Sequence, residues 1–140
     1  MPQVFTNDEE RDAFLAEPRL AILMTNRAAQ APIGVPVWFE WTGSEVLMFS
    51  SRGVPKLKRI EADPKIMVLV TNHIGEAEAW VSFEGEVEIC EDEDAWPLVE
   101  RMAARYWDVE EKRETLEMWE QGKAMMVVLR LKPTSIKNGA

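Results

Sequence analysis

The chain has 140 residues, 46% of them hydrophobic, which suits one domain with a real core. Its net charge of −9 argues against general binding to nucleic acids or anionic membranes, because both need a basic surface. The single cysteine, Cys90, excludes an internal disulfide bond and any multi-cysteine metal site.

The first part of the chain predicts a short helix followed by a buried strand. Asn7 followed by Glu10 fits an N-cap with its capping-box partner. The helix then runs to about Ala16 and is stopped by Pro18. The continuous apolar run at residues 20–25 is typical of a buried strand, and residues 26–32 form the turn after it.

An alternating segment at residues 33–41 predicts the next strand. Val35, Val37, Phe39 and Trp41 share one face of it, and more polar residues alternate with them. A turn at residues 42–44 leads into a strand at 45–50, so we expect a hairpin here.

The rest of the chain predicts three more strands and three helices. In chain order we expect a helix at 55–62, strands at 66–71 and 77–89, helices at 91–106 and 109–121, and a strand at 125–131. This gives about six mostly antiparallel strands with peripheral helices, a mainly β (α+β) class in which closure into a barrel would remove exposed edges. We expect residues 1–140 to form a single domain.

The loop at residues 50–56, Ser-Ser-Arg-Gly-Val-Pro-Lys, concentrates positive charge in an acidic protein. Five of the 16 basic residues lie within residues 52–65, whereas 16 of the 25 acidic residues lie within 76–120. Pro55 suits the first position of a helix, which would place Arg52 and Lys56 at its positive end. Helix N-termini offer free N–H groups to phosphates, and Gly53 would let the backbone approach closely.

This pattern has two interpretations. Ser50 and Ser51 add hydroxyl donors, and Lys56 and Arg59 are three residues apart and can point the same way, which favours an anion site. A solvated surface loop with incidental charge fits the spacing equally well, because a Ser/Gly/basic loop is not a specific motif.

Four segments together resemble the pyridoxamine 5′-phosphate oxidase-related, FMN-binding split-barrel family. They are APIGVPVWFEW at 31–41, MFSSRGVPK at 48–56, RIEADPK at 59–65 and WVSFEGEVEI at 80–89. The resemblance extends over about residues 14–106 and is most specific within 49–65.

The resemblance implies a homodimeric split β-barrel with FMN at the subunit interface. It implies that Lys56 reaches the flavin phosphate, that Ser50 and Ser51 line the phosphate and ribityl chain, and that Arg52 and Arg59 are further phosphate partners. It also implies cofactor contacts for a second set of residues, namely the backbone around Val35, Pro36 and Val37, which would face the isoalloxazine, and Trp80.

Two positions depart from the true oxidases of this family. Val35 stands where the oxidases carry a phosphate-binding arginine, and Glu40 stands where a lysine contacts pyridoxal phosphate. The resemblance therefore points to the related flavin proteins rather than to the vitamin B6 oxidase. Some relatives bind the deazaflavin F420, which also presents a phosphate, so F420 is the alternative cofactor.

The remaining unusual residues favour structural roles. His73 is the only histidine, so it cannot form a metal site and suits a turn or the surface. Acidic neighbours would raise the pKa of the Cys90 thiol, which makes it a structural residue. The six tryptophans are many for one small core, so we expect some of them at an interface or against a ligand, with Trp38 and Trp80 as candidates.

Three functions remain open from the sequence. The first is a flavin-dependent oxidoreductase with an unidentified small-molecule substrate and no assigned catalytic side chain. The second is a non-catalytic FMN or F420 carrier or sensor, and the third is a cofactor-free dimeric interaction protein. No apolar run reaches membrane-spanning length, and Met1-Pro2-Gln3-Val4 lacks a signal-peptide pattern, so we expect a cytoplasmic protein without membrane or nucleic-acid partners.

Overall fold

A computed structural model describes residues 4–140, so residues 1–3 of the N-terminal segment discussed above lie outside it. The predicted α+β class is confirmed, since one antiparallel sheet of eight strands is accompanied by four α-helices. The helices are α1 (Asp8–Ala16), α2 (Pro55–Ala62), α3 (Trp96–Tyr106) and α4 (Arg113–Gln121). The strands are β1 (Ala21–Arg27), β2 (Gln30–Val37), β3 (Glu40–Trp41), β4 (Val46–Ser51), β5 (Lys65–Thr71), β6 (Trp80–Cys90), β7 (Met126–Leu131) and β8 (Ser135–Gly139).

The sheet is a barrel that is split rather than closed. Its strand order is β2-β1-β5-β6-β7-β4-β3, with β8 added alongside β6. The two outer strands β2 and β3 are not hydrogen-bonded to each other within residues 4–140, although only two residues separate them in the chain. The long strand β6 joins the halves, because its first part pairs with β5 and β8 and its last part pairs with β7.

The predicted continuous strand at 33–41 is wrong, because the chain breaks at Trp38 and Phe39. β2 pairs with β1, and only Glu40 and Trp41 pair with β4, so the predicted hairpin shrinks to two residue pairs. The Tyr106 hydroxyl stabilises the break. It accepts a hydrogen bond from the Phe39 N–H at 3.2 Å and donates one to the Arg19 carbonyl at 2.6 Å.

The face that the alternation assigned to the core is confirmed. Phe39 is fully buried, and Val35, Val37 and Trp41 pack against the same cluster. This main core fills the space between the two halves of the sheet and includes Leu23, Met48, Val68, Val81, Phe83, Val127 and Leu129. A second cluster packs the outer side of β4 and β7 against α3, and it includes Leu47, Leu98, Met102 and Val128.

Several element ends differ from the predictions. The N-cap is confirmed, since the Asn7 side chain accepts a hydrogen bond from the Glu10 N–H at 2.8 Å. α3 begins at Trp96 instead of 91, because the acidic run before it forms a turn in which the Asp94 carboxylate accepts from the Trp96 N–H. The short strand β8 was not predicted, and β3 was predicted only as the end of the strand at 33–41. Within the part of the chain that is described, no helix is long and apolar enough to cross a membrane.

Gly85 occupies the point on β6 where the pairing changes from β8 to β7. A Cβ atom there would lie 3.0 Å from Leu131 Cδ1, 3.1 Å from the Lys132 carbonyl oxygen and 3.3 Å from the Thr134 nitrogen. Two of these atoms belong to the backbone, so the neighbouring segment would have to move to accept a side chain.

We therefore expect Gly85→Ala to lower the free energy of unfolding by about 1–3 kcal/mol, the usual cost of overpacking. Gly122→Ala is the matched control, because the added Cβ would lie 3.7 Å from its nearest neighbour, the Trp119 carbonyl oxygen. Chemical denaturation monitored by circular dichroism measures both variants. Equal stabilities of the two would contradict the tight approach at Gly85.

Candidate functional site

The basic loop lies between the end of β4 and the start of α2. Gly53 has φ +79°, a left-handed conformation that disfavours residues with a side chain, and it turns the chain sharply into the helix. Pro55 takes the first helical position, as predicted. No side chain caps α2, so the N–H of Lys56 in its first turn has no side-chain acceptor.

A depression of about 490 Å³ opens against this loop, and we call it the loop recess. Phe49, Ser50, Ser51, Val54, Pro55, Lys56 and Arg59 line it. Four of the predicted phosphate residues, Ser50, Ser51, Lys56 and Arg59, are thus brought to one place. No acidic residue lines it, although the chain has 25 of them.

Lys56 and Arg59 give the loop recess its positive charge. Within residues 4–140, neither side chain has a carboxylate within 4.0 Å, whereas Arg11, Arg19 and Arg52 are all ion-paired. Partial burial, and secondarily the charge of Arg59, lowers the pKa of Lys56. The folded chain therefore keeps two adjacent cations without counterions, an arrangement that a bound anion would stabilise.

The Arg59 guanidinium is held in place from one side only. Its Nε donates to Thr25 Oγ1 at 2.9 Å, and Thr25 is buried within β1. The Nη groups of Arg59 find no acceptor among residues 4–140, so they remain available to a ligand. A fixed guanidinium with free Nη groups matches the fork geometry that binds phosphate oxygens.

The two serines contribute hydroxyl groups at the floor of the loop recess. Ser50 is buried, and its Oγ reaches only the Ser51 carbonyl oxygen at 3.5 Å, which is long for an O–H···O bond. Ser51 is exposed. Both hydroxyls therefore retain donor capacity towards an anion.

Arg52 does not join the other predicted phosphate residues. Its Nη1 pairs with the Glu91 carboxylate, its Nη2 donates to the Glu91 carbonyl at 2.9 Å, and its Nε donates to the Ala124 carbonyl at 3.2 Å. Its backbone N–H also donates to the Met125 carbonyl at 2.6 Å. Arg52 thus ties the loop to the ends of β6 and α4 instead of lining the recess.

A second depression of about 340 Å³, the strand recess, adjoins the first. It is lined by Leu20, Pro36, Val37, Trp38, Phe49, Lys56 and Trp119, and it shares Phe49 and Lys56 with the loop recess. The structure therefore brings Pro36 and Val37 beside Lys56. The Val35 side chain points away, into the core.

A third depression, also of about 340 Å³, is the helix recess. Phe49, Ser51, Met118, Trp119, Gly122 and Met126 line it, and all three recesses meet at Phe49. Phe49 and Trp119 were not predicted as site residues, because nothing in their local spacing distinguishes them from core positions.

An aromatic cluster backs the strand and helix recesses. The Trp38 ring stacks on Tyr106 with centroids 5.1 Å apart and planes 6° apart, and it meets Trp107 edge-on at 4.8 Å. Trp119 packs against Trp107 at 5.1 Å and against Phe49 at 6.3 Å. Trp38 is thus placed beside the candidate site, and Trp107 packs between Trp38 and Trp119.

Trp80 lies apart from these recesses in the single chain. It begins β6, pairs with Thr71 and Gly139, and packs so closely on Gly139 that a Cβ there would lie 2.7 Å from the indole. Ser82, two residues further along β6, lies on the same face of the sheet as Trp80. The core residue Val81 points to the opposite face.

The other residues considered from the sequence take structural roles. Glu40 accepts two hydrogen bonds from Arg101, at 3.0 and 3.1 Å, which explains a glutamate at this position. Burial raises the pKa of the Cys90 thiol, with a smaller contribution from Glu88. His73 lies exposed in the loop after β5, and residues 4–140 contain no group of side chains able to hold a metal ion.

The structural comparisons find similar folds in several solved proteins. One named F420 Reductase is 19% identical with a TM-score of 0.72, and the match covers 98% of both chains. A conserved hypothetical protein from Mycobacterium tuberculosis is 21% identical with a TM-score of 0.75, covering 99% of this chain and 87% of that one. The FAD and heme binding protein from Mycobacterium smegmatis is 18% identical with a TM-score of 0.68, covering 96% and 71%. At these identities the likeness shows the fold alone.

The sequence comparisons establish the family. A search of the curated proteins returned no match. The family model described as pyridoxamine 5′-phosphate oxidase matches residues 8–138, which is nearly the whole chain. The split barrel and this match together show that the chain belongs to the pyridoxamine 5′-phosphate oxidase family.

Proposed function

We propose that the chain is a single FMN-binding domain whose loop recess holds the phosphate of the flavin nucleotide. The observation that carries this proposal is the pair Lys56 and Arg59, two cations with no carboxylate within 4.0 Å among residues 4–140 of an acidic protein. Ser50, Ser51 and the uncapped start of α2 add donors of the kind that phosphate oxygens accept.

The strand recess is the proposed site of the isoalloxazine ring. It shares Lys56 and Phe49 with the loop recess, and its other lining residues are apolar. The backbone of Pro36 and Val37 forms one wall, and Trp38 and Trp119 form the aromatic side. Apolar walls exclude water from a bound ring, so backbone groups would provide the polar contacts that orient it.

The proposed activity is that of an oxidoreductase acting on an unidentified small molecule. A bound flavin would supply the hydride or electron transfer. The chain would bind the phosphate through Lys56 and Arg59, orient the ring against β2, and keep water out with the aromatic cluster. No acid or base side chain faces the strand recess apart from Lys56, so none is assigned to proton transfer.

F420 is the alternative cofactor, and the structure named F420 Reductase supports it. F420 also carries a phosphate, so the loop recess serves both cofactors equally well. A non-catalytic carrier or sensor would bind either cofactor without turnover, and a cofactor-free interaction protein would bind neither. An absorption spectrum of the purified protein, taken before and after FMN addition, separates the last case from the others.

We also propose that the protein is a homodimer, with the outer face of β1, β2, β5 and β6 as its interface. The register places Ile22, Met24, Met67 and Leu69 together on this face, and all four are only half-buried in the single chain. Trp80 and Ser82 extend the same face, so a dimer would bring Trp80 towards the partner subunit. Apolar faces of this kind mark protein interfaces.

We expect Lys56→Ala to weaken FMN binding roughly ten- to a hundredfold, because a charge-assisted hydrogen bond contributes about 1.5–3 kcal/mol. Lys132→Ala is the control, since Lys132 is exposed and lines none of the recesses around Phe49. Quenching of flavin fluorescence measures both affinities. Equal affinities in the two variants would place the phosphate elsewhere.

A second prediction concerns Arg52, which we expect to position the loop instead of contacting the cofactor. Both Arg52→Ala and Glu91→Ala should weaken FMN binding, and the double variant should be no weaker than Arg52→Ala, because the two side chains act as one unit. If Arg52 were itself a phosphate ligand, Glu91→Ala would release it and strengthen binding. The same fluorescence titration decides between these outcomes.

A third prediction tests the interface. Ile22→Lys should convert the dimer to a monomer, because it places a charge between Pro36 and Leu69 on the apolar face. Val109→Lys, at an exposed position between α3 and α4, should leave the dimer intact. Sedimentation velocity measures both variants, and an Ile22→Lys protein that stays dimeric would show that the interface lies elsewhere.

A further inference from the structure

The helix recess is not used by the proposed cofactor. The flavin phosphate is proposed to bind in the loop recess and the isoalloxazine ring in the strand recess. The helix recess adjoins both of them at Phe49. It shares Phe49 and Trp119 with the strand recess. A molecule held there would therefore lie against the proposed ring site, where a substrate of a flavin-dependent reaction has to be.

Two walls of the helix recess are aromatic. Phe49 and Trp119 meet at 66° with centroids 6.3 Å apart, and they form two sides of an angular slot. Trp119 is supported from behind by Trp107, which in turn packs edge-on against Trp38. Rings fixed in this way offer flat surfaces without a loss of side-chain freedom on binding, which favours a planar partner.

The mouth of the recess is apolar and adaptable. Met118 lines it and is 67% exposed, an unusual position for a large apolar side chain that supports no core. Methionine side chains adjust to ligands of differing outline and make favourable sulfur–aromatic contacts. The helix recess therefore favours planar ligands and accepts planar ligands of different shapes.

The helix recess favours uncharged ligands. No charged side chain lines the helix recess, so a charged group bound in it would lose its water without gaining a partner.

We propose that the helix recess binds the planar, uncharged aromatic part of the substrate, an inference that rests on the proposed flavin function. Because the two rings meet at 66°, a planar ring that stacks on Trp119 meets Phe49 with its edge, and the shared wall at Phe49 places the substrate beside the flavin site. Phosphorylated or carboxylated aromatic compounds are disfavoured as substrates, because the residues lining the helix recess offer no charged partner to the anionic group.

The test uses calorimetric titration of the FMN-loaded protein with three bicyclic probes. 2-Naphthol is planar and uncharged, naphthalene-2-sulfonate is planar and anionic, and decahydro-2-naphthol is uncharged but not planar. We expect 2-naphthol to bind at least about tenfold more tightly than either of the others, a difference of about 1.4 kcal/mol. Equal affinity for the sulfonate would overturn the charge argument, and equal affinity for the saturated alcohol would overturn the stacking argument.

Two variants locate the binding site. Met118→Gln should weaken 2-naphthol binding, and Met125→Gln is its matched control, since Met125 is 54% exposed but does not line the recess. Trp119→Leu should abolish binding of 2-naphthol. Because Trp119 also lines the strand recess, Met118→Gln provides the independent test. Unchanged 2-naphthol affinity in Met118→Gln and Trp119→Leu would overturn the proposal.

The FMN affinity of each protein, measured separately by fluorescence, keeps the two proposals distinguishable. A chain that binds FMN but shows no preference for 2-naphthol refutes the helix recess and leaves the flavin function standing. A chain that binds no flavin, yet binds 2-naphthol with the same dependence on Met118, refutes the flavin function and leaves the helix recess as an aromatic binding site.

Discussion

The packing of Trp38 on Tyr106 is the interaction on which the rest of the site depends. The stacked rings draw Trp38 out of the strand, and the Tyr106 hydroxyl satisfies the Phe39 N–H that a continuous ladder would have paired. The chain then divides into β2 and β3, which belong to opposite ends of the sheet. This break splits the barrel, and it leaves Pro36, Val37 and Trp38 facing the start of α2.

The second constraint is electrostatic. Within residues 4–140 of this acidic chain, no carboxylate pairs with Lys56 or Arg59, whereas the nearby Arg52 binds the Glu91 carboxylate and two carbonyl groups. The ion-paired Arg52 and the unpaired Lys56 and Arg59 therefore have different roles. Arg52 holds the backbone in place. Lys56 and Arg59 face the loop recess, where a bound anion would offset the electrostatic repulsion between the two side chains.

The sequence predicted the parts of this molecule that local chemistry determines. The Asn7 cap and Pro55 at the start of α2 both depend on neighbours within a few residues, and each lies where its pattern placed it. The break at Trp38 was missed, because it depends on Tyr106, 68 positions later, and no local pattern carries that contact. β8 was missed for the same reason, since Ser135–Gly139 pairs with β6 without a strong alternation of its own.

The candidate site shows the same division. Ser50, Ser51, Lys56 and Arg59 lie close in sequence and meet in the loop recess, whereas the direction of Arg52 is set by Glu91 and Ala124, which are far away in the chain. Phe49 and Trp119 join the recesses only through the packing of α4 on β4. Trp80 lies apart from these recesses in the single chain.

The proposed recognition of a flavin by the loop recess depends on its phosphate. FMN and riboflavin differ only by that phosphate, so their equilibrium affinities for the same protein preparation test this dependence. We expect FMN to bind at least about tenfold more tightly and added salt to reduce this advantage. Equal affinities for FMN and riboflavin would contradict it.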